Sequence, residues 1–302
     1  MRPIPSSRAM TTDAEALDLV DSIASAATRT PAVIDRYYTL CIPFYREFLG
    51  NHWHTGYYLP DGPIGPQDQL RMELRVAESA QVGAECEVLD VGCGIGGTAC
   101  HLARATGARV QGLTPNALQL GLAREHARSQ DVADRVGFVQ GHALSLPFAD
   151  ASFDVVLFFE SACHFPDREA FFREARRVLK PSGRLAGEDW LAASGLGPEP
   201  TQRYLDPLCA AWAIPGLGTC ESYAAAMTAA GFEVRECVDL RSEMALLRGF
   251  IVDERDRRQV QREAAETPDP IRRLIMRSLL ILGEAASAGA FTLGRFLAVK
   301  PA

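Results

Sequence analysis

A glycine-rich turn after a short apolar run carries the clearest chemical signal in the sequence. The segment 88–97 reads VLDVGCGIGG, so that one acid, Asp90, precedes several closely spaced glycines. Glycine lets a ligand approach the backbone closely, and a helix that begins at such a turn offers unpaired N–H groups. The segment therefore predicts a ligand-binding turn between a buried strand and a helix.

The same glycines satisfy the GxGxxG pattern of dinucleotide-binding proteins through Gly92, Gly94 and Gly97. That pattern alone has little specificity. A nicotinamide nucleotide would also need an acid at the end of the second strand to hold its ribose, where this chain has Leu113 and Thr114. A nicotinamide-dependent oxidoreductase is therefore a distant alternative.

A second group of residues has the chemistry to move a proton. His164 lies in ESACHFP, directly after the fourth apolar run, and Glu188 and Asp189 end the fifth. In a doubly wound sheet both positions fall on the ligand-bearing edge. Imidazole is the most frequent general base in enzymes. The histidine and the acids are therefore expected to face one another.

The pattern of apolar residues predicts the elements that hold these groups. From residue 87, short apolar runs alternate with helical segments, which predicts right-handed crossovers and a parallel sheet. Residues 13–49 predict two short amphipathic helices, and a third runs from about residue 66 to residue 80. Between them, the segment 50–63 is rich in Gly, Pro and aromatic residues and predicts an ordered loop.

Composition excludes several classes of protein. A chain of 302 residues that is 47% hydrophobic can bury a core without disulfides. The net charge of −7 and the absence of a basic face exclude nucleic acid as a partner. Eight cysteines without zinc-like spacing indicate reduced, mostly buried thiols.

The N-terminus lacks a signal-peptide pattern and no run is long enough to span a bilayer, so we expect a cytoplasmic protein without a membrane partner. A homo-oligomer is left open.

The glycine-rich segment resembles motif I of class I S-adenosylmethionine-dependent methyltransferases, whose D-x-G-x-G-x-G loop holds the methionine part of the cofactor. The segments GLTPNALQ, GHALSLPFADASFDVV, FFESACHFPD and RRVLKPSG follow in the order of that family. The first of these is similar to the form in tocopherol C-methyltransferases, cyclopropane fatty acid synthases and rebeccamycin-type sugar O-methyltransferases. The resemblance implies an α/β, Rossmann-like, doubly wound sheet of seven strands, mixed because the last two form an antiparallel edge.

The resemblance also implies the cofactor, S-adenosylmethionine, and its contacts. Thr114 and Gln119 stand where the family meets the ribose and can hydrogen-bond its hydroxyls. His142 replaces the usual aspartate at the adenine amino group; either its neutral imidazole accepts that hydrogen bond, or it faces solvent and Ala143 alone contacts adenine through its backbone. The expected cofactor-binding residues are Tyr38, Asp90, Gly92, Cys93, Gly94, Gly96, Thr114, Gln119, His142, Ala143 and Phe159.

The segment 50–58 is similar to the GDHxHHGFY segment of tocopherol methyltransferases, which implies a lid over both ligands. Aromatic rings attract the sulfonium charge, and a closed lid excludes water. No metal is expected, because His52 and His54 lack further ligands. The sugar O-methyltransferases imply that His164 is the catalytic base and Asp189 its partner, while Glu160 serves structure or substrate polarity. The expected acceptor contacts are Trp53, His54, Tyr57, Glu160, Trp190, Tyr204 and Trp212.

We therefore expect three parts: N-terminal helices and lid loop (residues 1–80), a cofactor-binding core (81–192), and a substrate-covering insertion with helices and the last two strands (193–302). The expected enzyme methylates a small hydrophobic specialised metabolite. Oxygen is slightly preferred because of the His/Asp pair, and carbon or nitrogen follows closely. A prenyl diphosphate acceptor would need cations such as Arg203 or Arg248, and magnesium. A non-catalytic binding protein is indicated only by His142.

Overall fold

A computed structural model describes residues 13–24 and 29–302. The first twelve residues, on which the expectation about a signal peptide depends, lie outside this part. Within it, the helices are too short or too polar to cross a bilayer.

One sheet of seven strands forms the centre of the molecule. The strands are β1 (Glu87–Val91), β2 (Arg109–Thr114), β3 (Val136–Gln140), β4 (Phe153–Phe159), β5 (Leu179–Ala192), β6 (Glu233–Asp239) and β7 (Phe291–Val299). Their order is β3-β2-β1-β4-β5-β7-β6. The first five pair in parallel, and β7 runs antiparallel to both of its neighbours. The predicted mixed α/β sheet is confirmed.

Helices cover both faces of the sheet and the edge where the parallel strands end. They are α1 (Asp13–Ala24), α2 (Pro31–Phe48), α3 (Pro66–Ser79), α4 (Gly97–Thr106), α5 (Ala117–Ser129), α6 (Arg168–Val178), α7 (Pro198–Pro200), α8 (Asp206–Ala211), α9 (Cys220–Ala229), α10 (Glu254–Glu266) and α11 (Pro270–Ser287). Several begin at a side-chain cap: Thr30 caps α2, Asn116 caps α5 and Asp269 caps α11. Such caps satisfy N–H groups that have no partner within the helix.

Burial on both faces explains the apolar character of the central strands. One core cluster packs α6 and α9 against the sheet, and another packs α3, α4 and α5 against the opposite face. Two further clusters join α1, α2, α8 and α11 above the strand ends. The N-terminal helices and the C-terminal helices therefore form one cover over the edge that carries the predicted site.

The order of the strands places a crevice between β1 and β4. From β1 the chain moves outward to β2 and β3, whereas β4 and β5 extend the sheet on the other side. Ligands of open α/β sheets bind at such a switch point, outside the carboxyl ends of the strands. Asp90 lies near the end of β1 and Glu160 directly follows β4. Chain topology therefore brings these two acids to the same crevice.

One pair of thiols contradicts the expectation of reduced cysteines. Cys220 and Cys237 form a disulfide, with their Cα atoms 5.9 Å apart. Cys220 begins α9 and Cys237 lies in β6, and the packing of α9 on β6 brings them together across 17 residues. Cys41, Cys86, Cys93, Cys100, Cys163 and Cys209 are free, and all except Cys86 are buried. The sequence spacing gave no sign of this pairing, because it arises from tertiary packing.

Candidate active site

Two cavities meet at the crevice. The smaller is a cleft of about 140 Å³ that contains the glycine turn and the loop after β2. The larger, of about 600 Å³, lies between the lid loop, β5 and the covering helices. We call them the cofactor cleft and the acceptor cavity. Tyr38, Asn51, Trp53, His54, Glu160 and His164 line both. These shared residues form the junction, where a group would pass from one ligand to the other.

The glycine turn lies open to the cofactor cleft. Gly92 has φ +83° and Gly94 has φ +53°, conformations that residues with a side chain rarely adopt. A Cβ atom at Gly92 would lie 2.4 Å from Cβ of Ser161, so a side chain there would also collide with the loop after β4. The backbone N–H groups of Gly92 and Cys93 both donate to the carbonyl oxygen of Leu113, which ties the turn to β2.

Asp90 is the buried acid of the cleft. Its side chain is almost fully buried, and its Oδ2 atom has no hydrogen-bond partner among the described residues. Burial raises the pKa of Asp90 to about 7; the charge of Glu73 adds to this effect and that of His54 opposes it. A buried carboxyl without a partner costs free energy, and a cationic ligand group would remove that cost. The site therefore fits the α-amino group of S-adenosylmethionine.

This raised pKa predicts pH-dependent cofactor binding. Only the ionised form of Asp90 attracts an ammonium group, so affinity should rise with pH up to the pKa and then level off. Between about pH 5.5 and pH 7 we expect roughly a tenfold gain in affinity for S-adenosylmethionine, measured by calorimetry. The same titration of Asp90→Asn should be flat. A wild-type affinity that does not change across this range would contradict the assignment.

The loop after β2 lines another part of the cofactor cleft and is hydrogen-bonded to helix α2 of the N-terminal cover. Thr114 Oγ1 donates to Gln119 Oε1 at 2.7 Å, and both side chains are buried. Asn116 Nδ2 donates to Asp35 Oδ1 at 2.8 Å and to Thr39 Oγ1 at 2.7 Å. Asp35 lines the cleft. Helix α2 thus places a carboxylate beside the end of β2, which sequence patterns around the loop did not reveal.

Most of the predicted cofactor residues line the cleft. Those that do are Tyr38, Asp90, Gly92, Cys93, Gly94, Thr114, Gln119, His142 and Phe159. Gly96 does not: it is the N-cap of α4, with φ +81°, and its Cα faces Phe138. Ala143 does not line it either, because its side chain packs into the sheet core. His142 is exposed at the rim, where its Nδ1 atom lies 3.4 Å from the backbone N–H of Leu144.

The acceptor cavity is walled mainly by aromatic and aliphatic side chains. Five predicted acceptor residues line it: Trp53, His54, Glu160, Trp190 and Trp212. Further apolar or aromatic residues of the wall are Tyr45, Tyr58, Phe250, Ile275, Leu279 and Leu282. The α11 residues among these were missed, because their helical spacing indicated only an apolar face. A largely aromatic and aliphatic wall with polar groups at defined places suits a hydrophobic molecule.

Two predicted acceptor residues lie elsewhere. Tyr57 is buried, its hydroxyl donates to the carbonyl oxygen of Glu243, and Arg75 lies over its ring at 4.1 Å. Tyr204, a residue of the insertion, packs against the core cluster that contains Leu208. The lid loop turns Tyr58, not Tyr57, toward the cavity. In an irregular loop no period predicts which of two adjacent tyrosines faces the ligand.

His164 stands at the junction, but its partner is not the predicted one. Its Nε2 atom lies 2.7 Å from the hydroxyl oxygen of Tyr38. Burial lowers the pKa of His164 to about 4, against a smaller opposing effect of the Ala213 backbone. The imidazole is therefore neutral at physiological pH, with a lone pair that can accept a proton.

The predicted His164–Asp189 pair is not formed. Asp189 is fully buried; it accepts hydrogen bonds from the backbone N–H of Trp190 at 2.8 Å and from the hydroxyl of Tyr223 at 3.0 Å. Successive residues of a strand point to opposite faces, and Asp189 points to the face that α9 covers. Burial raises the pKa of Asp189 to about 6. Its role is to hold β5 and α9 together.

Glu160 occupies a strained position between the cavities. Its φ of +44° is rare for a residue with a side chain, and such strain often concentrates at functional sites. Its Oε1 atom accepts a hydrogen bond from the backbone N–H of Thr55 in the lid loop at 2.7 Å. Burial raises the pKa of Glu160 above its ordinary value. Glu160 therefore fastens the lid and gives the junction its one carboxyl group.

Fold and site together define a cofactor-dependent transferase: a nucleotide-type cleft opens directly into an apolar acceptor cavity. Residues 89–187 match the family described as methyltransferase domain. The chain is 35% identical to methyltransferase GfsG of Streptomyces halstedii, over 68% of this chain and 75% of that protein. It is 32% identical to the chloroplastic tocopherol O-methyltransferase of Arabidopsis thaliana, over 74% of this chain and 70% of that protein. The chain belongs to the S-adenosylmethionine-dependent methyltransferases, and S-adenosylmethionine is its cofactor.

Solved structures share the whole architecture. The [4+2]-cyclase SpnF superposes with a TM-score of 0.75 at 24% identity, covering 90% of this chain and 96% of its own. The geranyl diphosphate C-methyltransferase of Streptomyces coelicolor A3(2) superposes with a TM-score of 0.67 at 18% identity, covering 90% and 98%. These likenesses show the fold. They also show that it holds different chemistries, so the reaction must be argued from the site.

Proposed function

We propose that this enzyme methylates a hydroxyl oxygen of a small, hydrophobic specialised metabolite. The observation that carries the proposal is the neutral imidazole of His164 at the junction, hydrogen-bonded to Tyr38. Methyl transfer is an in-line displacement, so the protein must align the acceptor and remove its proton. Two similar proteins have names that specify oxygen: tocopherol O-methyltransferase and the 27-O-demethylrifamycin SV methyltransferase of Amycolatopsis mediterranei, 37% identical over 54% of this chain and 60% of that protein.

The proposed proton path runs through two side chains. The acceptor hydroxyl, lying in the acceptor cavity, would donate to the oxygen of Tyr38, whose own hydroxyl proton passes to His164 Nε2. Burial raises the pKa of Tyr38 well above its ordinary value, so the phenol stays protonated and acts as a relay. Trp53 of the lid loop and Tyr45 of α2, which pack edge to face, would exclude water that could otherwise compete for the methyl group.

Charge at the cavity disfavours a diphosphate acceptor. Arg248 donates to the carbonyl oxygens of Leu59 and Gly62, and neither it nor Arg203 lines the cavity. Arg46 is the sole cationic side chain that lines it among the described residues, whereas Glu47, Asp68 and Glu160 bring carboxyl groups. Among the described residues, the lining therefore offers a diphosphate no cluster of cationic side chains.

Carbon methylation is the second candidate, and Glu160 is the observation that favours it. A carboxyl group among Trp53, Trp190 and Tyr38 could stabilise a cationic centre on the acceptor. Sterol 24-C-methyltransferase ERG6 of Saccharomyces cerevisiae is 34% identical over 51% of this chain and 40% of that protein. In this alternative His164 would shape the pocket and have no proton to remove.

Product analysis separates the candidates. Purified enzyme is incubated with S-adenosylmethionine carrying a ¹³C methyl group and with a panel of apolar phenols, hydroxylated polyketides and sterols. The ¹³C shift of the product distinguishes a methoxy carbon from a methyl group on carbon. A methoxy product supports the proposal, whereas transfer to carbon alone would overturn it.

Trp212→Ala tests the assignment of the two cavities. Trp212 lines only the acceptor cavity, where its ring stacks on Tyr45 and meets Trp190 at 4.9 Å between ring centroids. Removing the indole should raise the acceptor KM roughly tenfold through lost apolar contact, with the Kd of S-adenosylmethionine unchanged. Trp53→Ala, which alters both cavities, should weaken both ligands. Equal losses for both ligands in Trp212→Ala would refute the separation.

A further inference from the structure

Three histidines surround one buried carboxylate beneath the lid loop. Glu73 of α3 is fully buried, and its Oε1 atom lies 2.7 Å from His52 Nδ1 and 2.8 Å from His54 Nε2. Its second oxygen, Oε2, contacts Nδ1 of His101 in α4. Thr98 also donates to Oε1. The proposed methyl transfer uses neither Glu73 nor His101, so the cluster needs its own explanation.

The hydrogen bonding of His54 fixes where its protons lie. Its Nδ1 atom is 3.0 Å from the carbonyl oxygen of Thr55, which can only accept, so Nδ1 carries the proton. In a neutral imidazole the lone pair then resides on Nε2, and Nε2 faces a carboxylate oxygen of Glu73. Two lone pairs at 2.8 Å repel each other. A proton shared by His54 and Glu73, or a metal ion, must therefore lie between them.

We propose that His52, His54 and Glu73 bind one divalent metal ion of the zinc type, with His101 beside them on the second carboxylate oxygen. Imidazole nitrogen with carboxylate oxygen is the donor set that such ions prefer. A ligand histidine typically donates its other N–H to a backbone carbonyl, as His54 does. In the sequence, only His52 and His54 lie close enough together to suggest a shared metal ion. The fold brings Glu73 and His101 to the same place.

Binding of an ion requires the three side chains to adjust. The three donor atoms lie within 4.8 Å of one another. Bonds of about 2.1 Å in a tetrahedral site need donors about 3.3 Å apart, so the two N–O pairs must separate by roughly half an ångström and the two histidine nitrogens must come to the same spacing. The side chains of His52 and His101 are each 19% exposed and line a surface cleft, which gives the ion a route from solvent.

The position of the cluster assigns the ion a structural role. His52 and His54 belong to the lid loop, Glu73 to α3, and His101 to α4, the helix that follows the glycine turn. An ion here would fasten the lid to the scaffold of the cofactor cleft. Its binding free energy would then stabilise the folded, lid-closed state.

Cobalt substitution tests the site directly. Full-length protein, freed of any purification tag and treated with a chelator, is titrated with Co²⁺, whose visible absorption reports four-coordinate binding. We expect one equivalent to bind, Zn²⁺ to displace it, and Zn²⁺ alone to raise Tm by several degrees. His52→Gln and Glu73→Gln should lose the absorption and the Tm shift. His142→Gln, which removes an exposed histidine outside the cluster, is the matched control and should keep both.

Two results would overturn the proposed metal site. The first is that wild-type protein shows no more Co²⁺ absorption and no larger Zn²⁺-induced rise in Tm than His52→Gln does. A proton between His54 and Glu73 would then account for their contact. The second is a signal that is lost in His142→Gln, which would indicate adventitious surface binding. Because His52 is partly exposed, its variant carries the test even where Glu73→Gln fails to fold. Tm and absorption are read without an acceptor, so the result is independent of the proposed O-methylation.

Discussion

Asp90→Asn is expected to weaken S-adenosylmethionine binding by about 30-fold to several thousand-fold, the range for removing one partner of a buried charge pair. Asp90 is buried in the cofactor cleft and its Oδ2 atom has no hydrogen-bond partner among the described residues. The amide keeps the size of the side chain but loses the charge that attracts the amino group of the cofactor. Calorimetric titration of wild type and variant with S-adenosylmethionine and S-adenosylhomocysteine measures the effect.

Stability separates lost binding from lost folding. The folded-state pKa of Asp90 is raised, so ionisation of this buried group opposes folding above its unfolded-state value near 4. Asp90→Asn should therefore melt no lower than the ligand-free wild type at pH 7. Asp154→Asn is the matched control: Asp154 lies at the opposite end of the sheet, paired with Lys180. Equal cofactor affinity in wild type and Asp90→Asn would show that Asp90 does not bind the cofactor.

Several predicted cofactor residues lie together in the cleft because local geometry decides their position. Asp90, Gly92 and Gly94 follow one another through a strand end and a turn, so their chain spacing fixes their arrangement in space. The same holds for Thr114 and Gln119, which meet across one helical N-terminus. Neither arrangement depends on distant segments.

The failures have a different physical origin. Asp35 reaches the cleft because α2 packs across the loop after β2, a contact between residues 81 positions apart. Asp189 lies on β5, and the alternation of the strand turns its side chain toward Tyr223 of α9, a contact that the sequence alone did not reveal. Glu73 gave no signal at all, since a single acid in an amphipathic helix ordinarily faces solvent. A correct prediction of each of these positions requires knowing which surfaces pack together in the fold.

The junction also explains how one lid can serve two ligands. Glu160 accepts from the backbone of Thr55, and Trp53 lies over the glycine turn, 3.5 Å from where a Cβ of Gly94 would stand. The lid therefore contacts both the cofactor turn and the loop after β4. An acceptor and a cofactor bound in the two cavities would be enclosed by the same segment, so that closure would both exclude water and align them.

His164→Gln is expected to lower kcat by about 10²- to 10⁴-fold, the usual contribution of a general base, with little change in S-adenosylmethionine affinity. His164 is neutral at pH 7 and its Nε2 atom is held by Tyr38. Glutamine retains polarity at the junction but cannot take up a proton. Single-turnover measurements of methyl transfer, with both ligands saturating, isolate this step from product release.

A double-mutant cycle distinguishes the relay from a structural contact. Tyr38→Phe should also lower kcat, and the double variant should be scarcely slower than His164→Gln alone, because two groups that act as one unit are strongly non-additive. Since the pKa of His164 is lowered to about 4, the wild-type rate of the chemical step should not fall through loss of this base until pH approaches that value. Independent, multiplicative losses in the two variants would mean that Tyr38 and His164 only shape the pocket. Unchanged kcat in His164→Gln would reject oxygen methylation through this base and leave the carboxyl group of Glu160, at the same junction, as the group around which the reaction is organised.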